Sequence, residues 1–198
     1  MTEEESAASS VAARDDVAGI VDLFGTLTRA ELRQALSELA FKQGADADPE
    51  ALDAAVAQAI REYHLVPVDA ASPDQDGAAP EGDKSRATDD TVATTAAEDG
   101  VGTVADDDEL AVGPTAFPSL PPNAEDLPHI LDVEERDVDR EALAERVHDR
   151  LVREVDVALA EGDADRLETL LDVTYDLEAW APVEADDVRE RIESGLED

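Results

Sequence analysis

The chain has 198 residues, with 52 acidic and 15 basic side chains, no cysteine and a formal net charge of −37. The absence of cysteine excludes disulfides, a thiolate nucleophile and a thiolate metal site. No apolar run approaches the ~18 residues that a membrane span needs, and the acidic start Met-Thr-Glu-Glu-Glu lacks the basic and apolar regions of a signal peptide.

The acid is spread along every segment, including the helices with clear apolar faces, rather than gathered in one tail. This predicts a cytoplasmic protein adapted to concentrated salt. At molar ionic strength the Debye length is only about 3 Å, so self-repulsion is screened. Leu, Ile, Val and Phe total 45 residues, of which only Val11, Val92, Val101 and Val104 fall within 1–13 and 69–109. The core is therefore expected from the remainder, and those two segments are expected to be a disordered tail and a disordered acidic insertion.

Asp15 or Asp16 is expected to cap a first helix carrying Val17, Ile20, Val21 and Phe24, with Gly25 ending it. Thr28 and Glu31 form a T-x-x-E capping box. The second helix places Leu32, Ala35, Leu36, Leu39 and Ala40 on one side and stops at Gly44. Asp48-Pro49 starts a third helix, with proline at its first position, where the missing N–H costs nothing. Leu52, Ala55, Val56, Ala59, Ile60 and Tyr63 make its apolar stripe. Leu65-Val-Pro-Val68 and residues 110–117 read as two strands that pair, with Pro67 assigning an edge position to the first. Between them, residues 69–109 hold 13 acidic and 2 basic residues and no Leu, Ile, Phe, Tyr or Trp.

Residues 118–136 form a proline-rich, extended connector that Phe117, Leu120 and Leu127 are expected to anchor. Residues 137–198 read as helical. One helix starts at Asp137 or Asp139, carries Leu143, Val147, Leu151, Val155 and Leu159, and ends at Gly162. Asp163 caps a shorter one with Leu167, Leu170 and Leu171, and Pro182 precedes a last one with Val188, Ile192 and Leu196. Tyr175, Leu177 and Trp180, between these two, are expected in the core.

The predicted fold class is mainly α with a small β-hairpin. A winged-helix-like N-terminal unit (14–68 and 110–117) is followed by a C-terminal helical region. Helix, helix, helix, strand, strand is the winged-helix order, with the wing loop swollen by the insertion.

No motif calls for catalysis or a cofactor, and none is expected. Glu125, Asp126, His129 and Asp132 cluster in sequence, but in so acidic a chain this reads as a solvated connector rather than a metal site. DNA binding would use the third helix, whose outward positions Glu50, Asp53, Ala54, Ala57, Gln58, Arg61 and Glu62 sum to −2. That surface repels phosphate. Arg29, Arg33, Lys42 and Arg61 are the candidate contacts if the chain binds DNA. The favoured expectation is a non-enzymatic interaction or regulatory module with a protein partner, a second copy of the chain included. A DNA-binding regulator comes next, then a carboxylate-dependent enzyme.

The blocks Val21-Asp-Leu-Phe-Gly25, Tyr63-His-Leu-Val66, Val112-Gly-Pro-Thr-Ala-Phe-Pro118, Asp126-Leu-Pro-His-Ile-Leu-Asp-Val133 and Tyr175-Asp-Leu-Glu-Ala-Trp-Ala-Pro182 resemble a family of uncharacterised haloarchaeal proteins. The resemblance covers nearly all of 17–68 and 110–192 and skips the insertion. It implies a salt-adapted source and carries no activity, cofactor or site.

Overall fold

The structure is a computed structural model that describes residues 14–44, 48–68 and 104–197. The expected tail at 1–13 and residues 69–103 of the expected insertion lie outside the described residues.

Seven helices and three strands follow in chain order among the described residues. Helix α1 covers residues 14–22, strand β1 Thr26–Thr28, α2 Arg29–Lys42 and α3 Pro49–Arg61. Strand β2 is Leu65–Pro67 and β3 is Glu109–Val112. Then come a 3-10 turn, Ala124–Asp126, and α4 (Leu127–Ile130), α5 (Arg140–Glu161), α6 (Ala164–Trp180) and α7 (Asp186–Leu196).

The caps are local chemistry. Thr28 accepts from the Glu31 N–H while the Glu31 carboxylate accepts from the Thr28 N–H, completing the capping box. Asp48, Asp139 and Asp163 cap α3, α5 and α6 through their side chains. Gly162, at φ +69°, closes α5 in the left-handed conformation. Helix α1 differs from expectation: it is already helical at Arg14, so Asp15 and Asp16 are not its caps. Both instead accept hydrogen bonds from the connector, Asp15 from the Phe117 N–H and Asp16 from the Ser119 hydroxyl.

The sheet is antiparallel in the order β1-β3-β2. The expected pairing of Leu65–Pro67 with the later strand is present, and Pro67 sits on an edge strand. The expected hairpin gains a third strand, β1, pairing Leu27 with Leu110. The expected insertion boundary at 109 is too late. Residues 104–109 are part of the fold, with Val104 packed against the core and the Asp106 and Asp108 carbonyls accepting the Ala30 and Arg29 N–H groups.

Side chains of the sheet alternate between two cores. Leu27, Leu65 and Leu110 pack with α1, α2, α3 and the connector's Ala124, Leu127 and Leu131. Val66 and Ala111, with Tyr63, pack with Leu143, Val147, Leu151, Val155 and residues of α6 and α7. The sheet is thus the middle layer between two helical layers. The connector is not simply extended, since Pro128 falls in the first turn of α4, where it is tolerated. Leu127 anchors it as expected, but Phe117 and Leu120 stay exposed. Helix α6 runs on through Tyr175, Leu177 and Trp180. Leu177 is buried and Trp180 partly so, whereas Tyr175 is exposed against the Arg189 guanidinium, 4.4 Å from its ring centre.

Candidate functional site

The candidate DNA contacts separate into three places and are engaged by the chain's own groups. Arg29 and Arg33 converge on the Asp53 carboxylate of α3, at 3.4 and 3.3 Å. Arg29 also donates to the Val104 carbonyl at 2.9 Å, and Arg33 reaches Asp106 at 3.4 Å. Lys42 lies at the far end of α2, 3.0 Å from Asp126. Arg61 ends α3, and its carbonyl accepts from Arg166 at 3.2 Å. Asp126, from the acidic cluster of the connector, is therefore a partner of Lys42. Among the described residues no group of three or more His, Asp or Glu side chains is arranged to hold a metal ion.

The junction after α3 is tightly constrained. Glu62 is the C-cap, and Tyr63 follows at φ +62°. The Tyr63 N–H donates to the Ile60 carbonyl and the His64 N–H to the Ala59 carbonyl. This is a Schellman closure with tyrosine where glycine is usual. The ring explains the residue. It is fully buried, and the Arg150 guanidinium stacks 4.1 Å from its centre. Burial raises the phenol well above its ordinary value. Arg150 donates to the Ile60 carbonyl at 2.9 Å, Arg166 to that of Arg61, and both arginines hold the buried Glu154 carboxylate. Two guanidinium groups thus meet the carbonyl end of α3, where the helix dipole favours cations.

On the outer side of this junction lies an open groove of about 370 Å³ lined by Glu62, His64, Thr115, Asp165, Glu168, Thr169, Asp172, Val173 and Asp176. The α6 residues recur at helical spacing and share one face. Burial, then the neighbouring Asp172, raises the Asp176 carboxyl above its ordinary value, while His64 opposes both. His64 is 8% exposed. Burial lowers its imidazole, Asp15 pulls it up, Arg14 pushes it down and Glu62 pulls it up, for a net lowering.

The rest of the surface carries an unusual feature. Phe41 is 79% and Phe117 76% exposed, although the chain has only three phenylalanines. Leu120 and Ile130 are also exposed.

Compared with protein families, residues 15–197 match a family of unknown function, DUF7109. The chain belongs to the DUF7109 family. Neither curated proteins nor solved structures gave a match. In this DUF7109 chain two of the four candidate DNA contacts, Arg29 and Arg33, share Asp53, while Lys42 and Arg61 lie elsewhere. The sequence pattern is informative only about the helices that carry them. It gave no sign of the His64 groove. The one available signal was Tyr63-His64, an aromatic and an imidazole just past a helix end, but the groove's other wall lies more than a hundred residues later.

Proposed function

We propose that the chain is a non-enzymatic protein-interaction module built on a winged-helix-like unit and adapted to a salt-rich haloarchaeal cytoplasm. The architecture supports the first part. Helix, strand, two helices and two strands, in the sheet order β1-β3-β2, is an element order that a winged helix also has.

The observation that carries protein over DNA is the state of the cations. Arg29, Arg33 and Lys42 each form an ion pair with an acid of the same chain. A phosphate would have to displace those acids and approach a surface of net charge −37. Exposed Phe41 and Phe117 supply the aromatic anchors that interfaces use, in a chain otherwise coated with acid. An enzyme reading would place its chemistry in the His64 groove, but the α6 carboxylates there form a row along one helix face rather than a convergent pair.

The test is partner capture from a salt-rich cell extract at molar KCl, with crosslinking to detect self-association and with mobility-shift assays on genomic DNA in parallel. The expected result is a protein partner, or a second copy, whose retention falls at least tenfold in Phe41→Ser/Phe117→Ser, about 1.4 kcal/mol or more. Retention unaffected by that double substitution, or selective DNA binding at native salt, would overturn the reading.

A further inference from the structure

The α6 groove holds a buried acceptor that has no donor. The Thr115 hydroxyl donates to the Glu62 carbonyl at 2.7 Å, which uses its only hydrogen. The same oxygen lies 3.2 Å from His64 Nδ1, so it accepts there and Nδ1 carries the ring proton. Neutral His64 therefore bears its lone pair at Nε2. The Asp15 carboxylate stands 3.7 Å from that nitrogen, beyond hydrogen-bond distance, and is itself an acceptor. Among the described residues no N–H or O–H is bonded to Nε2. His64 is nine-tenths buried and lines the groove, so a donor for Nε2 has to enter from there.

The opposite wall sets the charge of that donor. Asp165, Glu168, Asp172 and Asp176 follow at i, i+3, i+7 and i+11 on one face of α6. The charges that act on Asp176 are Asp172 and His64, with no guanidinium or ammonium of the chain among them. The guanidinium groups of the junction are engaged elsewhere, Arg14 with Glu62, and Arg150 and Arg166 with Glu154. From Asp165 to Asp176 the row climbs about 16 Å along the helix. Among the described residues no three of His, Asp or Glu are grouped to hold a metal ion. The row therefore suits cations spaced along a chain rather than one small ion. In brine, charge acts only near contact, over a Debye length of about 3 Å. A guest must then bring N–H groups, which potassium lacks, and arginine carries five of them on a weakly hydrated plane. An extended segment sets alternate side chains on one face about 6.6 Å apart. That matches the roughly 6 Å of helix between Asp172 and Asp176. We propose, resting on the protein-interaction reading, that the groove seats an extended segment of the partner with arginines at alternate positions, one guanidinium donating to His64 Nε2 and the Asp176 carboxylate and the next to Asp172.

The test titrates the full chain in molar KCl, at about pH 8 where the ring is neutral, with a capped Gly-Arg-Ala-Arg-Gly peptide. Nitrogen and carbon NMR follow the His64 ring and the Asp176 carboxyl. The expected result is a saturable shift at both, with Nδ1 remaining the protonated ring nitrogen. The apparent Kd should rise at least tenfold in Asp172→Asn/Asp176→Asn, two side chains outside the core. It should rise as much for a peptide with citrulline in place of arginine, which keeps the shape and the N–H groups without the charge. No saturable shift, equal binding of the citrulline peptide, or equal binding by the variant overturns the proposal. A neutral ring protonated at Nε2 also overturns it. A partner captured through Phe41 and Phe117 by a chain that leaves the peptide unbound would strike the groove and spare the wider reading. A bound peptide with no partner captured would strike the wider reading alone.

Discussion

Two side chains show how single residues offset local costs. Tyr63 occupies a backbone conformation that disfavours any residue with a Cβ, typically by about 1 kcal/mol. Its buried ring and the stacked Arg150 offset that cost. Replacement by glycine should therefore destabilise, not stabilise, by about 3 kcal/mol, because the lost burial outweighs the relieved backbone. Tyr63→Phe removes a buried hydroxyl that makes no hydrogen bond of good geometry, and should be within about 1 kcal/mol of neutral. Chemical denaturation at fixed high salt would measure both, and a stabilised glycine variant would refute the account. Glu31 shows the same logic in charge. The hydrogen bonds from Arg136, opposed by partial burial and aided by the Thr28 N–H, lower its carboxyl to about 2. A depressed carboxyl stabilises above its unfolded value and loses that contribution as pH falls toward 2. Glu31→Gln keeps the capping-box geometry but not the charge. It should cost about 1 kcal/mol at neutral pH, since the pair is partly exposed to water, and the cost should shrink in acid unfolding measured between pH 5 and 2. A cost unchanged down to pH 2 would show that the charge on Glu31 plays no part.

At the scale of elements, the weight falls on the end of α3. Arg150 and Arg166 reach across from α5 and α6 to its last carbonyls, and Glu154, 6% exposed, holds both cations. Removing Glu154 as Glu154→Ala leaves two poorly solvated guanidinium groups beside each other, a change that typically costs 3–5 kcal/mol. Amide exchange should then rise first at Ile60–His64 and in the facing turns of α5 and α6. Uniform loss of protection would argue that the contact is only packing. The helices themselves were legible in the sequence, because each apolar stripe needs only its own 10 to 20 residues and each cap is one Asp or Thr at a fixed offset. Strand β1 was not. Thr26-Leu27-Thr28 is too short to show alternation, and its conformation is imposed by pairing with Glu109–Ala111. The end of α6 was obscured by Thr174 and Tyr175, weak helix formers. In place, the Thr174 hydroxyl bonds back to the Leu171 carbonyl, and α6 continues to Trp180. The His64 groove was illegible for another reason. Its lining comes from three distant segments, and its acids from two of them, in a chain where acids are everywhere, so no local pattern distinguishes them.

For the whole molecule, the central sheet couples the two ends of the chain. Val66 and Ala111 turn away from α1–α3 and are covered by the C-terminal helices. A fragment ending at residue 136 would expose that apolar face, so it should bind hydrophobic dyes and fail to unfold cooperatively, while the full chain melts in one transition. The coating of acid acts against this assembly in dilute buffer. A net charge of −37 on a chain of this size repels itself over the Debye length of about 10 Å at 0.1 M salt. At 2 M that length falls below about 3 Å, shorter than the spacing of most surface carboxylates, and only close pairs such as Arg136–Glu31 at 2.9 Å keep their attraction. The midpoint of thermal unfolding should therefore rise steeply between 0.1 and 2 M KCl, by well over the roughly 3 °C that about 1 kcal/mol confers on a domain this long. Salt also strengthens apolar burial, so the diagnostic is a comparison at equal ionic strength. If charge screening dominates, KCl and the strongly excluded sulfate should give similar rises. A rise with sulfate alone would assign the stability to the core and remove the argument that the acidic surface is matched to brine.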